Sequence, residues 1–446
     1  MFSRVLVANR GEIAVRVIRG LRELGIESVA VYSTADEGAV HVRLADHAVR
    51  VGPPPASESY LRIPSIIAAA ATTGCDAVHP GYGFLAENPA FVEACLDNGL
   101  VFVGPPAHVM TMMGDKIGAR QAMREAGVPT VPGTDGATTV TAARVAADAI
   151  GYPVLLKAAA GGGGKGMRIV EDADELEDAF GAAAAEASAA FGDSTLYVEK
   201  VLMPARHVEI QVLCDQHGNV LTLGERECSI QRRHQKLIEE TPSPALSAEL
   251  REQMEAAAER ACRAVGYVNA GTFEFLLGPD GTFSFIELNA RLQVEHPVTE
   301  MTTGIDLVRA QLHVAAGEPL AVSGRAPRRG HSIEIRLNAE DPERDFMPAP
   351  GLVTRFRPAQ GPGVRVDTFV EDGMRITPHY DSLLAKLVVW DVDRPAAIAR
   401  ALRALEETVI EGVPSTRELA IDVLRSDAFA CGEYSTSTLA ELMVLA

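Results

Sequence analysis

The chain has 446 residues, which is too many for one ordinary hydrophobic core, so two or three domains are expected. Apolar residues make up 47 % of it, which excludes global disorder, and a formal net charge of −19 argues against binding to nucleic acid or to acidic membranes. No apolar run reaches the length of a membrane span, and the N-terminus lacks the features of a secretory signal, so we expect a soluble protein.

Cysteine and lysine usage narrows the possibilities further. None of the six cysteines forms a CxxC pair, so we expect free thiols in a reducing cytoplasm rather than a zinc site or a disulfide framework. Lysine is scarce, with six residues against 35 arginines, so the position of each lysine is informative. The six are Lys116, Lys157, Lys165, Lys200, Lys236 and Lys386.

Residues 1–113 are predicted to form a doubly wound α/β domain. An apolar strand at 4–8 precedes a turn and a helix, whose apolar residues Ile13, Val17, Leu21 and Leu24 recur at helical spacing. Further strands at 28–32, 76–80 and 100–104 predict a parallel sheet. The segment has no GxGxxG sequence, so a dinucleotide site is not supported.

A small α+β insert is predicted at about residues 130–203. Its expected order is a helix at 142–150, a strand at 154–157, a Gly-rich loop, a strand at 167–170, an Ala-rich helix from a cap at Asp172 to about 190, and a strand at 196–200. An insert of this kind can move as a lid over a neighbouring site.

The rest of the chain is predicted to be mixed α and β. Residues 207–227 and 271–289 are expected to form antiparallel hairpins, because Gly and Asn or Asp supply turns near 218 and 280. Residues 248–265 are predicted to be helical. The Pro-, Gly- and Arg-rich stretch 319–331 is predicted to be a linker, and 332–446 to combine strands with a helix at about 395–408.

The Gly-rich loop, KAAAGGGGKGM at 157–167, is the first candidate site. Glycine lets backbone N–H groups approach phosphate oxygens closely, and Lys157 and Lys165 add positive charge. The sequence does not fit the Walker A pattern, and it joins strand to strand rather than strand to helix. A flexible hairpin loop is the alternative, and the two lysines favour phosphate binding.

An acidic pair is the second candidate site. Glu287 and Asn289 share one face of a predicted strand, and Glu274 lies on the hairpin partner of that strand, all within apolar sequence. Buried carboxylates need a partner, and Mg²⁺ bound by carboxylates and substrate phosphates would supply one. The alternative is a buried Glu–Arg pair, for which Arg291 is the candidate.

Arg291, Gln293 and Glu295 form the third candidate site. They alternate, so an extended segment would present a guanidinium, an amide and a carboxylate on one side, which together can hold a small planar oxyanion and take its proton. The alternative is a polar edge strand. The basic run at 231–236 is either a solvated face or, beside an ATP site, a binder of phosphoryl oxygens.

Several long motifs, in a fixed order, resemble those of the biotin carboxylases of the ATP-grasp superfamily from residue 2 to about 440. They are ANRGEIA at 8–14, HPGYGFLAEN at 79–88, MGDK at 113–116, the Gly-rich loop, RHVEIQ at 206–211, ERECSIQRRHQK at 225–236, RLQVEHPVTE at 291–300 and EIRLNAED at 334–341. The resemblance implies an α/β and α+β chain with the ATP-grasp fold. Its implied parts are an N-terminal doubly wound α/β domain (1–113), an ATP-grasp domain (114–318) with a mobile lid subdomain (about 130–203), and a C-terminal mixed α+β domain (332–446).

The resemblance also implies roles for individual residues. Catalytic roles fall to the general base Glu295, to Arg336 at the biotin enolate, to Lys236 at the transferring phosphoryl group or the carboxylated intermediate, and to Arg291 at bicarbonate. Metal ligands for Mg²⁺ or Mn²⁺ are Glu274, Glu287 and Asn289. Residues implied to bind ATP, bicarbonate or biotin are Lys116, Lys157, Gly161, Gly162, Gly163, Gly164, Gly166, Met167, Glu199, Lys200, Leu202, His207, Gln231, His234, Leu276, Gln293, Val294 and Tyr82.

The implied reaction is ATP-dependent carboxylation of biotin with bicarbonate through carboxyphosphate, the first half-reaction of acetyl-CoA carboxylase in fatty acid biosynthesis or of another acyl-CoA carboxylase. No lysine is flanked by methionines, so biotin is expected on a separate biotin carboxyl carrier protein. A carboxyltransferase subunit is a further implied partner, and the family implies a homodimer. The alternatives are another ATP-grasp carboxylate–amine ligase and a non-catalytic nucleotide-binding regulatory subunit.

Overall fold

A computed structural model describes residues 1–134, 139–159 and 167–445 of the chain. The glycines predicted to bind phosphate, Gly161, Gly162, Gly163, Gly164 and Gly166, lie outside the described residues, as does Lys165. Their contact with phosphate therefore stays a prediction.

A parallel sheet forms the N-terminal region, as predicted. Its elements are β1 (Arg4–Val7), α1 (Gly11–Glu23), β2 (Glu27–Ser33), α2 (Val40–Leu44), β3 (His47–Gly52), α3 (Ile63–Thr73), β4 (Ala77–His79), α4 (Pro89–Asp97), β5 (Val101–Phe102) and α5 (Ala107–Gly114). The strand order is β3-β2-β1-β4-β5, and every adjacent pair is parallel. The backbone N–H of Ala8 donates to the carbonyl of His79 at 2.9 Å, so the loops that follow β1 and β4 lie side by side.

A small α+β unit follows. Its elements are α6 (Lys116–Glu125), α7 (Val140–Ile150), β6 (Val154–Ala158), β7 (Arg168–Val170), α8 (Leu176–Phe191) and β8 (Leu196–Lys200), and the strands form an antiparallel sheet in the order β7-β6-β8. The predicted helix cap at Asp172 is wrong. Its carboxylate accepts the N–H groups of Asp174 and Glu175, so it caps a turn that precedes the helix at Leu176.

The middle of the chain contains both predicted hairpins. Its elements are β9 (Arg206–Cys214), β10 (Val220–Arg232), β11 (Gln235–Thr241), α9 (Ala248–Val265), β12 (Asn269–Leu277), β13 (Phe283–Asn289), α10 (His296–Thr303), α11 (Leu307–Ala315) and β14 (Gly324–Arg325). β9 pairs with β10 and β12 pairs with β13, both antiparallel, and α9 has the predicted bounds. The predicted linker is wrong in part, because β14 lies within it and pairs with β10.

The C-terminal region mixes strands and helices, as predicted. Its elements are β15 (His331–Asn338), β16 (Glu340–Asp341), β17 (Met347–Pro348), β18 (Gly351–Leu352), β19 (Arg355–Arg357), β20 (Val364–Thr368), β21 (Arg375–Ile376), β22 (Leu383–Asp391), α12 (Arg394–Glu407), β23 (Val409–Glu411), α13 (Arg417–Arg425), α14 (Asp427–Cys431) and α15 (Thr438–Leu445). Three of these strands extend the central sheet, whose order is β13-β12-β9-β10-β11-β15-β22-β20. One sheet therefore joins residues 206–289 to residues 331–391, and it can carry site residues from both parts of the chain.

Candidate active site

Lys236 on β11 lies at the centre of a cluster of buried charges. Its ammonium donates to the carboxylates of Glu209 at 2.6 Å, Glu274 at 3.0 Å and Glu295 at 2.5 Å. Burial lowers the pKa of Lys236, but the surrounding acidic groups outweigh burial and raise this pKa well above its usual value. Carboxylates from β9, β12 and the turn before α10 thus converge on one cation of β11.

Glu295 is held between two cations. Its side chain is fully buried, with one oxygen bound to Lys236 and the other bound to Arg336 at 2.9 Å. Burial raises the pKa of Glu295, but Lys236, Arg336 and Arg226 together hold this pKa well below its usual value. Glu295 is therefore an ionised carboxylate at neutral pH, fixed in position by its partners.

Arg336 on β15 bridges two carboxylates. It contacts Glu295 at 2.9 Å and Glu239 at 2.5 Å, and its side chain is largely buried. Burial raises the pKa of Glu239 to about 7, although Arg336 opposes this effect. One side of the guanidinium is thus occupied by Glu239, which fixes the direction in which Arg336 faces Glu295.

A β-bulge in β11 explains how this strand supplies both Lys236 and Glu239. The register between β10 and β11 shifts between the pairs Ile230–Ile238 and Gln231–Lys236. Leu237 and Ile238 consequently both enter the apolar core beneath β15, while Lys236 and Glu239 both face the charged cluster. Bulges of this kind redirect side chains and are common beside active sites.

The segment from Arg291 to Glu295 converges on the same cluster, but not as predicted. The extended conformation is wrong, because β13 ends at Asn289 and the chain turns before α10 begins at His296. Arg291 donates to Gln293 and to Asn289 at 2.9 Å each, and the amide of Gln293 donates to Glu274 at 3.2 Å. The predicted set is thus assembled by a turn rather than by alternation along a strand.

The predicted alternative, an ion pair between Arg291 and the acidic pair, does not occur among the described residues. Arg291 instead binds the carboxylate of Glu87, a residue of the N-terminal region, at 2.9 Å. Glu274 pairs with Lys236 at 3.0 Å and with His207 at 3.0 Å. The Coulombic effect of Glu274 opposes burial and helps to raise the pKa of His207.

Glu274 and Glu287 are direct cross-strand partners on β12 and β13. Such pairs have side chains on one face and close together. Glu287 is exposed to the cleft and has no hydrogen bond or ion pair to another residue in the described ranges. Loss of solvation in the surrounding protein raises the pKa of the Glu287 carboxyl group, and repulsion from Glu274 raises this pKa further. A divalent cation would relieve that repulsion, so the pair fits Mg²⁺.

The other donors near this pair are less available. The amide oxygen of Asn289 accepts a hydrogen bond from Arg291 at 2.9 Å. His207, Glu209 and Glu274 lie close enough to ligate an ion, but the ammonium of Lys236 already binds two of these carboxylates. Glu274 is itself bound by Lys236 and His207, whereas the carboxylate of Glu287 has no partner in the described ranges, so Glu287 is the more available donor of this pair.

Two lysines lie beside the acidic pair. Lys157 on β6 binds Glu199 at 2.9 Å, and Arg120 also binds Glu199. Lys116 lines a cavity of about 230 Å³ together with Glu287. Burial lowers the pKa of Lys116, and repulsion from Lys157 lowers it further, so an added anion would be stabilised here.

The other predicted nucleotide residues take varied positions. Lys200 donates to the backbone carbonyls of Gly151 at 2.8 Å and Tyr152 at 3.1 Å. Gln231 is buried, whereas His234 is exposed in the turn between β10 and β11. Met167, Leu202 and Leu276 are half-buried. The hydroxyl of Tyr82 donates to Glu12, and the Tyr82 ring lies 5.8 Å from the ammonium of Lys386.

Four charged residues of the cluster were not singled out as site residues from the sequence: Glu209, Arg226, Glu239 and Lys386. Arg226 is fully buried and binds Glu209, Gln211, Thr272 and Thr299. Two signals could have found some of them. Glu209 and Gln211 alternate within an apolar strand, and lysine is so scarce that Lys386 within LLAKLVVW stands out.

Comparison with known proteins gives three family matches along the chain. Residues 1–110 match the family described as Biotin carboxylase, N-terminal domain. Residues 115–323 match Carbamoyl-phosphate synthase L chain, ATP binding domain, and residues 334–441 match Biotin carboxylase C-terminal domain.

Individual proteins are similar over nearly the whole chain. A biotin carboxylase of Nostoc sp. is 51 % identical over 444 residues, with 99 % of each chain covered. A biotin carboxylase of Pseudomonas aeruginosa is 51 % identical over 436 residues, covering 97 % of this chain and 96 % of the relative. A crystal structure of the biotin carboxylase domain dimer of Hydrogenobacter thermophilus 2-oxoglutarate carboxylase, in complex with MgADP, ADP and bicarbonate, has a TM-score of 0.95 and 46 % identity, with 99 % of both chains covered.

Fold and site together define an ATP-dependent carboxylating enzyme with the ATP-grasp fold. The chain belongs to the biotin carboxylase family, which confirms both the resemblance of its motifs and the expected mixed α/β and α+β fold. Among the residues that the structure describes, no helix combines the length and apolar character needed to cross a membrane.

Proposed function

We propose that this chain uses the cluster around Lys236 and Glu295 to activate bicarbonate with ATP and then to carboxylate biotin. The observation that carries the proposal is the carboxylate of Glu295, which is buried, ionised and held between Lys236 and Arg336. A base in a fixed position can take a proton from an acid bound next to it. The Hydrogenobacter relative, crystallised with MgADP and bicarbonate, supports this choice of substrates.

In the first step, Glu295 accepts the proton of bicarbonate. A carbonate oxygen then bonds to the γ-phosphorus of ATP while the bond from this phosphorus to the β–γ bridging oxygen breaks, which gives carboxyphosphate and ADP. Arg291, Gln293 and Val294 hold the bicarbonate, and Lys236 faces the transferring phosphoryl group. Because charge moves among oxygen atoms throughout, these residues act by position and by electrostatic stabilisation.

In the second step, carboxyphosphate separates into CO₂ and phosphate. The phosphate takes the N–H proton of the biotin ureido ring, Arg336 neutralises the oxygen that becomes negative, and the ureido nitrogen bonds to CO₂. Tyr82 lies near the biotin in this arrangement. Exclusion of water by a closed lid protects carboxyphosphate from hydrolysis.

The nucleotide would lie between the small α+β unit and the central sheet. Lys116 and Lys157 would bind its phosphates, because a bound anion would offset the repulsion between the two ammonium groups. The remaining residues proposed to line the nucleotide site are Gly161, Gly162, Gly163, Gly164, Gly166, Met167, Glu199, Lys200, Leu202, His207, Gln231, His234 and Leu276.

Glu274 and Glu287, helped by Asn289, would hold Mg²⁺ or Mn²⁺. When bound, the cation neutralises charge on the phosphates that are being transferred. Support comes from the carboxylate of Glu287, which lies directly opposite Glu274 and has no partner in the described part of the chain, and from the magnesium in the Hydrogenobacter relative.

Glu287→Gln is expected to raise the Mg²⁺ concentration needed for half-maximal ATP cleavage by about tenfold or more, because even the outer partners of metal ligands contribute 10–100-fold to affinity. The measurement is a Mg²⁺ titration at fixed total ATP. The matched control is Glu259→Gln, a half-buried residue on α9 that pairs with the exposed Arg263, and it should leave the titration unchanged. An identical Mg²⁺ requirement in Glu287→Gln would remove this residue from the metal site.

The domain division proposed from the sequence is 1–113, 114–318 with the lid at about 130–203, and 332–446.

The proposed partners are a biotin carboxyl carrier protein and a carboxyltransferase subunit. The proposed assembly is a homodimer, which the dimer of the Hydrogenobacter relative supports. The proposed reaction is the first half-reaction of acetyl-CoA carboxylase or of another acyl-CoA carboxylase. The six free cysteines, five of them buried, support a cytoplasmic location.

The decisive experiment is ADP release by the purified chain with bicarbonate and MgATP, measured with and without free biotin. Biotin is expected to stimulate ADP release, whereas another ATP-grasp ligase would need a different acceptor and a regulatory subunit would not turn over. Arg336→Ala is expected to lower the biotin-stimulated rate by about 10²–10³-fold, since it removes a donor from the developing oxyanion.

Two comparisons make the Arg336→Ala result specific. The exposed Arg425→Ala on α13 should retain the wild-type rate. Biotin stimulation of equal size in Arg336→Ala and in the wild type would take Arg336 out of the reaction. Absence of biotin stimulation in the wild type would contradict the proposed function itself.

A further inference from the structure

Lys386 on β22 is a fully buried lysine that the reaction above does not use. Its ammonium lies 3.1 Å from the carboxylate of Glu12, at the start of α1, and 3.9 Å from that of Asp367. Burial lowers the pKa of Lys386, but Glu12, Glu334 and Asp367 outweigh burial and raise it, so the ammonium stays charged. Burying such a charge costs free energy unless its N–H groups have hydrogen-bond or ion-pair partners.

The ammonium of Lys386 also binds the backbone of the turn formed by Val294 and Glu295, which we call the catalytic turn. The ammonium donates to the carbonyl oxygen of Val294 at 3.0 Å, and the next residue along the chain is Glu295. Glu295 is the last residue before α10, so its carboxylate is carried by the turn rather than by a strand. Lys386 thus holds the peptide that directly precedes the carboxylate of the general base.

The same lysine ties this turn to the N-terminal region. The Glu12 oxygen that contacts Lys386 also accepts the hydroxyl of Tyr82, which lies in the loop after β4. On the other side, Lys386 is the direct cross-strand partner of Arg336. The ammonium therefore links the turn of Val294 and Glu295 to Glu12 and, through Glu12, to the loop of Tyr82, while the backbone of β22 pairs with the strand of Arg336.

We propose that Lys386 is a positioning residue, which fixes the turn of Val294 and Glu295 and so sets the place of the Glu295 carboxylate relative to the loop of Tyr82. The inference rests on the proposed function, in which Glu295 is the base. Without the ammonium, the Val294 carbonyl loses its donor inside the protein and the turn is free to shift. Misplacement of a reacting group by about 1 Å can cost about 10²-fold in rate.

The test is Lys386→Met, which removes the ammonium and keeps most of the volume. The kcat of biotin-stimulated ADP release is expected to fall by about 10–100-fold, while KM for ATP stays the same, since the lysines near the nucleotide are untouched. The matched control is Arg394→Met, which breaks an ion pair with Glu240, a buried carboxylate whose partners are Arg394, His331 and Tyr434 rather than residues of the Lys236 cluster, and it should lower stability without lowering kcat.

The double variant Lys386→Met with Glu12→Gln separates position from charge balance. It removes both partners of the buried pair, so folding is expected to be retained even if Lys386→Met alone does not fold. A kcat as low as that expected for Lys386→Met supports the proposal, because the Val294 carbonyl still lacks its donor. Wild-type kcat in the double variant, or in a folded Lys386→Met, would overturn it. The wild-type assay with biotin tests the proposed function separately.

Discussion

Glu295→Gln is expected to lower biotin-stimulated ADP release by about 10²–10⁴-fold, the range that a positioned general base contributes. The substitution keeps the size of the side chain and one of its two oxygens, but the amide cannot accept the proton of bicarbonate. Lys236 would still bind Glu209 and Glu274, so the cation does not lose its remaining partners. The measurement is kcat at saturating ATP, bicarbonate and biotin, with KM for ATP as the check on binding.

Two results give this experiment its specificity. KM for ATP is expected to stay near the wild-type value, because the proposed phosphate ligands Lys116 and Lys157 do not contact Glu295. Glu418→Gln, an exposed residue on α13, provides the control for carboxylate removal and should retain the wild-type kcat. A Glu295→Gln enzyme with undiminished kcat would show that the proton goes to another group.

Elements fixed by local sequence were predicted well. The helix at residues 248–265 has the predicted bounds because Ser247 caps it, accepting the N–H of Leu250, and Gly266 ends it with φ of 64°. Both hairpins follow from turn residues between apolar strands, and the parallel N-terminal sheet follows from its βαβ pattern. These features depend on neighbours within a few residues, which a single sequence contains.

Features fixed by distant contacts were predicted less well. The stretch 319–331 was predicted to be a linker, but its β14 pairs with β10, which lies about a hundred residues earlier. The segment from Arg291 to Glu295 was predicted to be extended from its alternation, yet α10 begins at His296 and forces a turn. In the first case a tertiary pairing overrides a weak local pattern. In the second case the competing signal is local, because Pro297 stands at the start of α10.

The candidate site shows the same division. Glu274 and Glu287 could be placed opposite each other, because the hairpin that carries them is local. The bulge at Leu237 and Ile238, which turns Glu239 toward Arg336, has no signature in the sequence. Lys386 contacts Val294 across 92 positions of the chain, and no spacing rule predicts that contact. The proposed roles of the site residues stay predictions, which the variants above test.

Arg226 carries the largest expected effect on stability. It is fully buried on β10, and its guanidinium binds Glu209 at 2.5 Å, Gln211 at 2.7 Å, and the hydroxyls of Thr299 at 3.0 Å and Thr272 at 3.1 Å. These partners come from β9, β12 and α10, and all four would lose the guanidinium as donor when Arg226 is replaced. Arg226→Met is therefore expected to lower the free energy of unfolding by about 3–5 kcal/mol, the usual cost of removing one partner of a buried ion pair.

The measurement is denaturant unfolding of the transition that includes the central sheet, with the midpoint compared between variants. Arg263→Met is the matched control, since Arg263 on α9 is exposed and pairs only with Glu259 and a backbone carbonyl among the described residues, and its effect should stay within about 0.5 kcal/mol. Equal midpoints for Arg226→Met and the wild type would mean that Lys236 alone balances Glu209. A large loss of stability would mean that Arg226 stabilises the cluster around Lys236, because both cations bind the carboxylate of Glu209.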